Sequence, residues 1–116
     1  MFQIYNFMHE VIAANPNVAS LLDLGVTAEG RMLHGIKISS GAAGRKGVVM
    51  DCLMHAREWM GGPLCLRAID ELVADPELRD IADFYIVPVA NPDGYVYSWT
   101  EVGLAMEHTE CDIICH

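Results

Sequence analysis

The sequence lacks several features, and each absence excludes a class of protein. No apolar stretch of about 18 or more residues occurs, so no transmembrane helix is predicted, and the first residues show no signal-peptide pattern. Only 7 basic residues stand against 16 acidic ones, and the net charge of −9 does not provide the basic face that nucleic-acid binding requires. The Gly-rich loop at 41–47 has no P-loop spacing and no helical pattern after it, which excludes a phosphate cradle. We therefore expect neither a membrane nor a nucleic acid as a partner.

No Cys-x-x-Cys motif occurs among the four cysteines. Two of them, Cys52 and Cys65, lie inside apolar segments, which predicts buried free thiols. A small thiol oxidoreductase built on this pair is disfavoured because the usual redox spacing is missing. Four cysteines could also form two disulfides, so the cysteine pattern does not decide the compartment.

Apolar residues make up 53% of the 116 residues, which is enough for one small domain with a core. The periodicity alternates between helix and strand and predicts an α/β fold with a mixed sheet of about four strands and flanking helices. A hairpin with a tight "AEG" turn comes first, and a strand–helix–strand crossover follows. The run at 47–54 is typical of a strand buried on both faces, and Pro88 indicates an edge or an irregularity. The predicted elements are helices over 2–14, 64–75 and part of 75–83, strands over 21–27, 31–39, 47–54 and 84–90, and a turn over 91–94.

Chemistry-bearing side chains concentrate in "MHAREWM" at 54–60. His55 and Glu58 are three residues apart, just past a predicted strand, and ligands of open α/β sheets tend to bind at the carboxyl ends of strands. A His and a Glu are both zinc ligands, and catalytic zinc sites often use a His₂Glu set. The alternative is a surface His and a solvated Glu at the start of a helix. Arg57 could bind a carboxylate or a carbonyl through its planar fork, or be an exposed charge, and Trp59 is more typical of packing.

Several motifs, taken together, carry a resemblance. "HAREW" at 55–59 is followed further along by "NPDGY" at 91–95, and upstream stand an opening helix, its "NP" stop and a "VTAEGR" hairpin turn at 26–31. This order resembles the M14 family of zinc metallocarboxypeptidases, in particular its pancreatic A/B-type branch. The resemblance covers residues 2–100, which would form the N-terminal part of that family's three-layer α/β catalytic domain. Residues 101–116 are expected to be a divergent tail outside the family fold.

The resemblance implies a function and a set of roles. His55 and Glu58 would be the first two ligands of a Zn²⁺ ion, and Arg57 would bind substrate and polarise the scissile carbonyl. The reaction would be hydrolysis of the C-terminal peptide bond of peptides or proteins, by a secreted enzyme. Asn91 and Asp93 of "NPDGY" would form a structural turn near the cleft and would not be ligands.

The resemblance also implies what these residues do not supply. In the family, the third zinc ligand, the general-base Glu and the groups that hold the substrate carboxylate lie downstream of "NPDGY", and "EVGLAMEHTECDIICH" replaces a basic stretch. A truncated or mis-spliced product, or an erroneous gene model, with weak or no activity is therefore expected. Some of the strands that neighbour the strand before His55 would belong to that downstream part. Without them, this strand would expose an unpaired edge and apolar faces. The alternatives are a non-catalytic peptide- or partner-binding fragment and a product without function.

Other metal-binding residue types are given ordinary roles. His9 and His34 fall in the predicted helix and hairpin and are expected to be surface or boundary residues. The tail contains zinc-capable side chains whose spacing matches no zinc finger or ribbon, so surrogate ligation is disfavoured. These tail residues are His108, Cys111, Cys115 and His116.

Overall fold

A computed structural model describes residues 1–100 and shows one four-stranded mixed sheet with four helices. The strand order is β1-β2-β4-β3, in which β1–β2 and β2–β4 are antiparallel and β3–β4 is parallel. The predicted α/β class, hairpin and crossover are therefore confirmed, and the predicted tail lies outside the described residues. The elements are α1 Phe2–Ala14, β1 Ala19–Val26, β2 Met32–Ile38, β3 Gly47–Asp51, α2 Gly61–Ala74, α3 Pro76–Arg79, β4 Asp83–Val87 and α4 Pro92–Tyr97.

The core lies between the sheet and the two long helices. Helix α1 places Ile4, Tyr5 and Met8 in it at helical spacing, and Asn15 ends the helix by donating its side-chain amide to the Val11 carbonyl at 2.9 Å. The inward-facing strand residues alternate along β2 and continue into β4, as the pleat requires. The largest side chains with no exposed surface include Met8, Ile36, Ile38, Ile69 and Ile86.

The β1–β2 hairpin is closed by the predicted turn. The Thr27 amide donates to the Arg31 carbonyl at 2.8 Å, and the Gly30 amide donates to the Thr27 carbonyl at 3.0 Å. Gly30 has a φ of +77°, in the left-handed region that favours glycine. The motif "AEGR" therefore contains the residue that this turn needs, at the position where it is needed.

Strand β3 differs from its prediction. It lies at the edge of the sheet beside β4 alone among the described strands, and Val48 and Val49 are 40% and 73% exposed. The prediction of burial on both faces is therefore wrong for β3. Among residues 1–100, the outer edge of this strand has no neighbouring strand, as expected. The strand also ends at Asp51 instead of at residue 54.

Strand β4 is interior, paired on one side with β2 and on the other with β3. Of the two alternatives that Pro88 indicated, the edge is therefore wrong, and the proline instead stands where the regular strand ends. Pro88 follows the strand, which ends at Val87, and its side chain is fully buried. The missing N–H of proline costs no ladder hydrogen bond at that position.

The two cysteines within residues 1–100 are free thiols, with Cys65 buried and Cys52 half-buried. Burial raises the pKa of the Cys65 thiol strongly, and a hydrogen bond with the Cys52 thiol raises it further. A thiol held protonated is a poor nucleophile, which adds to the argument against thiol redox chemistry.

Candidate functional site

The segment that carries the candidate ligands leaves the sheet at a fixed point. The Cys52 amide donates to the Val87 carbonyl at 2.9 Å, and the Ala90 amide donates to the Cys52 carbonyl at 2.8 Å. Leu53 follows with a φ of +55°, a left-handed conformation that is uncommon for a residue other than glycine. Its side chain is 4% exposed, so packing holds this conformation. The sequence pattern gave no signal for this conformation.

The predicted site residues share one tight turn. The Glu58 amide donates to the His55 carbonyl at 3.0 Å, and the Gly61 amide donates to the Glu58 carbonyl at 2.8 Å. His55, Arg57 and Glu58 are exposed, whereas Ala56 between them is buried. An imidazole and a carboxylate in one exposed turn suit two ligands of a Zn²⁺ ion. Within residues 1–100, no cluster of three His, Cys, Asp or Glu side chains could hold a metal ion.

The segment after β4 lies against the inner side of this turn. Because β3 and β4 are parallel, the residues that follow both strands meet at the same end of the sheet. The Asn91 side chain donates to the Met54 carbonyl at 3.4 Å, and Trp59 Nε1 donates to Ser98 Oγ at 3.0 Å. Ser98 Oγ also lies 3.4 Å from the Ala56 carbonyl. The segment after β4 thus contacts the backbone of Met54 and Ala56 and the ring of Trp59, and of residues 54–59 only Ala56 is buried.

The "NPDG" stretch begins a helix, which corrects the prediction of an isolated turn. Asn91 caps α4, with its Oδ1 accepting from the Gly94 amide at 2.9 Å, and Pro92 occupies the first turn. A Cβ on Gly94 would lie 2.6 Å from the Asn91 amide nitrogen, so glycine permits the cap. Local side-chain capping chemistry explains this motif.

Three aromatic rings cover the outer part of the same region. Trp59 stacks on Trp99 with ring centroids 4.1 Å apart and planes within 5°, and Tyr95 meets Trp99 edge-on at 6.0 Å. The expectation that Trp59 is a packing residue is confirmed. The stack fixes the residue that follows Glu58.

Asp93 joins two motifs that are distant in sequence. Its carboxylate accepts from Thr27 Oγ1 at 2.7 Å, from Arg31 Nη1 at 2.5 Å and from the Glu29 amide at 3.3 Å. Burial acts to raise the pKa of Asp93, but the hydrogen bonds from Thr27 and Arg31 outweigh it, and the pKa lies below its ordinary value. The hairpin turn is therefore bound to α4, whose other residues support the 55–58 turn.

The remaining candidates lie elsewhere. His9 and His34 pack edge-to-face at 5.7 Å between α1 and β2, which fits the boundary role predicted for them. The tail residues His108, Cys111, Cys115 and His116 lie outside the described residues. Among residues 1–100, no helix is both long enough and apolar enough to cross a membrane.

Comparison with known proteins gives a consistent result. A family model described as zinc carboxypeptidase matches residues 4–111, which extends past the boundary expected at residue 100. Carboxypeptidase B of Homo sapiens is 36% identical over 99 residues, which cover 79% of this chain and 24% of that protein. Carboxypeptidase O of Bos taurus is 36% identical over 108 residues, which cover 86% of this chain and 29% of that protein.

The fold comparison agrees with the sequence comparison. The crystal structure of carboxypeptidase A from Helicoverpa armigera matches with a TM-score of 0.76 at 36% identity, over 82% of this chain and 25% of that chain. The chain thus spans about a quarter of the length of the relatives that it matches.

Proposed function

Because the chain belongs to the zinc carboxypeptidase family, we propose that it serves in hydrolysis of the C-terminal peptide bond of peptides or proteins, with Zn²⁺ as cofactor. The observation that supports this most directly is the exposed turn at 55–58, closed by the hydrogen bond from the Glu58 amide to the His55 carbonyl. The turn lies at the carboxyl end of β3, where ligands of open α/β sheets bind. As the family resemblance implies, we propose that the protein is secreted.

In this proposal the three exposed side chains of the turn have separate roles. The His55 imidazole and the Glu58 carboxylate hold the ion, and Arg57 binds the substrate carbonyl through its guanidinium group. When bound, zinc supplies Lewis acidity toward the peptide carbonyl and acidifies water. The protein's own contribution is a turn, closed by the hydrogen bond from the Glu58 amide to the His55 carbonyl, that carries the imidazole, the guanidinium and the carboxylate on exposed residues.

We further propose that this 116-residue chain, assayed by itself, hydrolyses peptides weakly or not at all. Two protein ligands fall short of the three that catalytic zinc sites use, and residues 1–100 provide no third one in reach. The same observation favours a second candidate, which is a non-catalytic peptide-binding role without zinc. Addition of a chelator separates the two, because peptide binding of the second kind does not depend on metal.

The test is a zinc titration against a chromophoric chelator. The wild-type chain is expected to bind one Zn²⁺ weakly, and His55→Ala is expected to lower that affinity about tenfold or more. His9→Ala is the matched control, since it removes an imidazole on α1 that is packed against His34 and is expected to leave affinity unchanged. Equal affinity in wild type and His55→Ala would overturn the ligand assignment.

A further inference from the structure

Ser98 is the one buried polar residue within residues 1–100, with 4% of its surface exposed. A buried hydroxyl has to be paired, and it can donate one hydrogen bond while it accepts others. Ser98 Oγ accepts from Trp59 Nε1 at 3.0 Å. It donates to the Tyr95 carbonyl at 2.8 Å, and the Ala56 carbonyl at 3.4 Å is a second, longer acceptor. The hydroxyl thus bridges the end of α4 and the turn at 55–58.

The positions that Ser98 contacts are informative. Ala56 separates His55 from Arg57, and Trp59 directly follows Glu58. The hydroxyl therefore contacts this segment at two points. It accepts from Trp59 Nε1, and its one proton, which goes to the Tyr95 carbonyl at 2.8 Å, has the Ala56 carbonyl at 3.4 Å as an alternative acceptor. The turn itself contributes one backbone hydrogen bond, from the Glu58 amide to the His55 carbonyl.

We propose that Ser98 is a positioning residue, whose buried hydroxyl fixes the turn so that His55 and Glu58 are presented together. The expected effect of Ser98 on zinc binding rests on the proposed function. Its expected effect on the order of the turn does not. Trp59 is partly exposed, so water can satisfy its N–H when the hydroxyl is removed. Loss of the hydroxyl is therefore expected to loosen the turn more than it destabilises the fold.

Amide hydrogen exchange measured by NMR tests the structural part. Ser98→Ala is expected to speed exchange of the Glu58 amide about fivefold, the factor given by loss of one ordinary hydrogen bond. The Ser39 amide, which donates to the Val18 carbonyl in the hairpin, is the internal reference and is expected to be unchanged. Ser98→Thr keeps the hydroxyl and is expected to restore slow exchange.

Trp59→Phe provides a second variant that keeps an aromatic ring and removes only the N–H donor. This variant is also expected to speed exchange of the Glu58 amide. It still tests the proposal if Ser98→Ala does not fold. An unchanged Glu58 rate in both variants would overturn the proposal. So would an equal acceleration of the Ser39 amide, because the role would then be one of global stability.

The zinc titration tests whether Ser98 affects zinc binding. It also separates failure of the positioning role of Ser98 from failure of the ligand role of His55. If wild type binds Zn²⁺ through His55, Ser98→Ala is expected to weaken binding about tenfold, and Ser98→Thr is expected to recover it. Absence of His55-dependent binding in wild type would overturn the proposed ligand role, while the exchange data would still decide whether Ser98 orders the turn. Unaltered affinity in Ser98→Ala, beside His55-dependent binding in wild type, would overturn the positioning role.

Discussion

Replacing Ile86 by alanine is expected to lower the free energy of unfolding by about 2–5 kcal/mol. Ile86 is fully buried in β4, opposite Ile36 of β2 and Met50 of β3. The substitution loses apolar burial and leaves a cavity at the point where the hairpin and the crossover meet. Since domains are stable by about 5–15 kcal/mol, the loss is a large fraction of the total. Urea unfolding followed by circular dichroism measures it.

Val49→Ala is the matched control for Ile86→Ala. Val49 lies on the neighbouring strand β3, but its side chain is 73% exposed. The expected loss is below about 1 kcal/mol, which is the span of strand propensity. If the two variants lost equal stability, the assignment of Ile86 to the core and of β3 to the edge would both be contradicted.

Replacing Asp93 by asparagine is expected to remove a pH-dependent part of the stability. The folded-state pKa of Asp93 lies below its ordinary value, so its contribution is present above the unfolded-state pKa and is lost as the pH falls through the folded-state pKa. At pH 7 the variant is expected to melt below wild type, because it loses the ion pair with Arg31. The difference is expected to be only a few degrees, because an ion pair this close to solvent is partly screened. Thermal unfolding of both proteins from neutral to strongly acidic pH measures the difference.

The two melting curves are expected to converge at acidic pH, because wild-type Asp93 is then also uncharged. Asp70→Asn, on the exposed side of α2, is the control for removal of a carboxylate as such, and at pH 7 it is expected to melt close to wild type. If the difference in melting temperature between wild type and Asp93→Asn stayed constant down to acidic pH, the charge of Asp93 would not be its cause. The loss of stability would then come from altered packing and hydrogen bonding.

The elements could be predicted where local chemistry decides them. Asn15 ends α1, and Gly30 makes the hairpin turn possible. In α2 the apolar spacing correctly indicates Ile69 and Leu72 as buried, whereas Leu64 on the same predicted face is 66% exposed. The exposure of β3 could not be predicted, because an apolar run looks alike in an interior strand and in an edge strand. Which of the two it becomes depends on whether a neighbouring strand lies beside it, and that is a long-range property.

The candidate site likewise combines features that local sequence indicates with features that depend on long-range packing. Residue types and spacing marked His55, Arg57 and Glu58 as candidates, and the family resemblance gave them their roles, which stay predictions. The left-handed Leu53 and the buried hydroxyl of Ser98 had no such signal, because each is defined by packing between segments far apart in the chain. The carboxylate of Asp93 was predicted to form a turn, and its reach to the hairpin is also a tertiary effect.

The most direct test of the metal site is an NMR titration of the wild-type chain with Zn²⁺ that follows the backbone amides and the histidine ring signals. The account predicts that the earliest changes occur in residues 54–59, including the His55 ring and the Glu58 amide, while the rings of His9 and His34 do not shift. Changes confined to His9 and His34, or to the tail at 101–116, would contradict the account, because the ion would then be held away from the turn at 55–58.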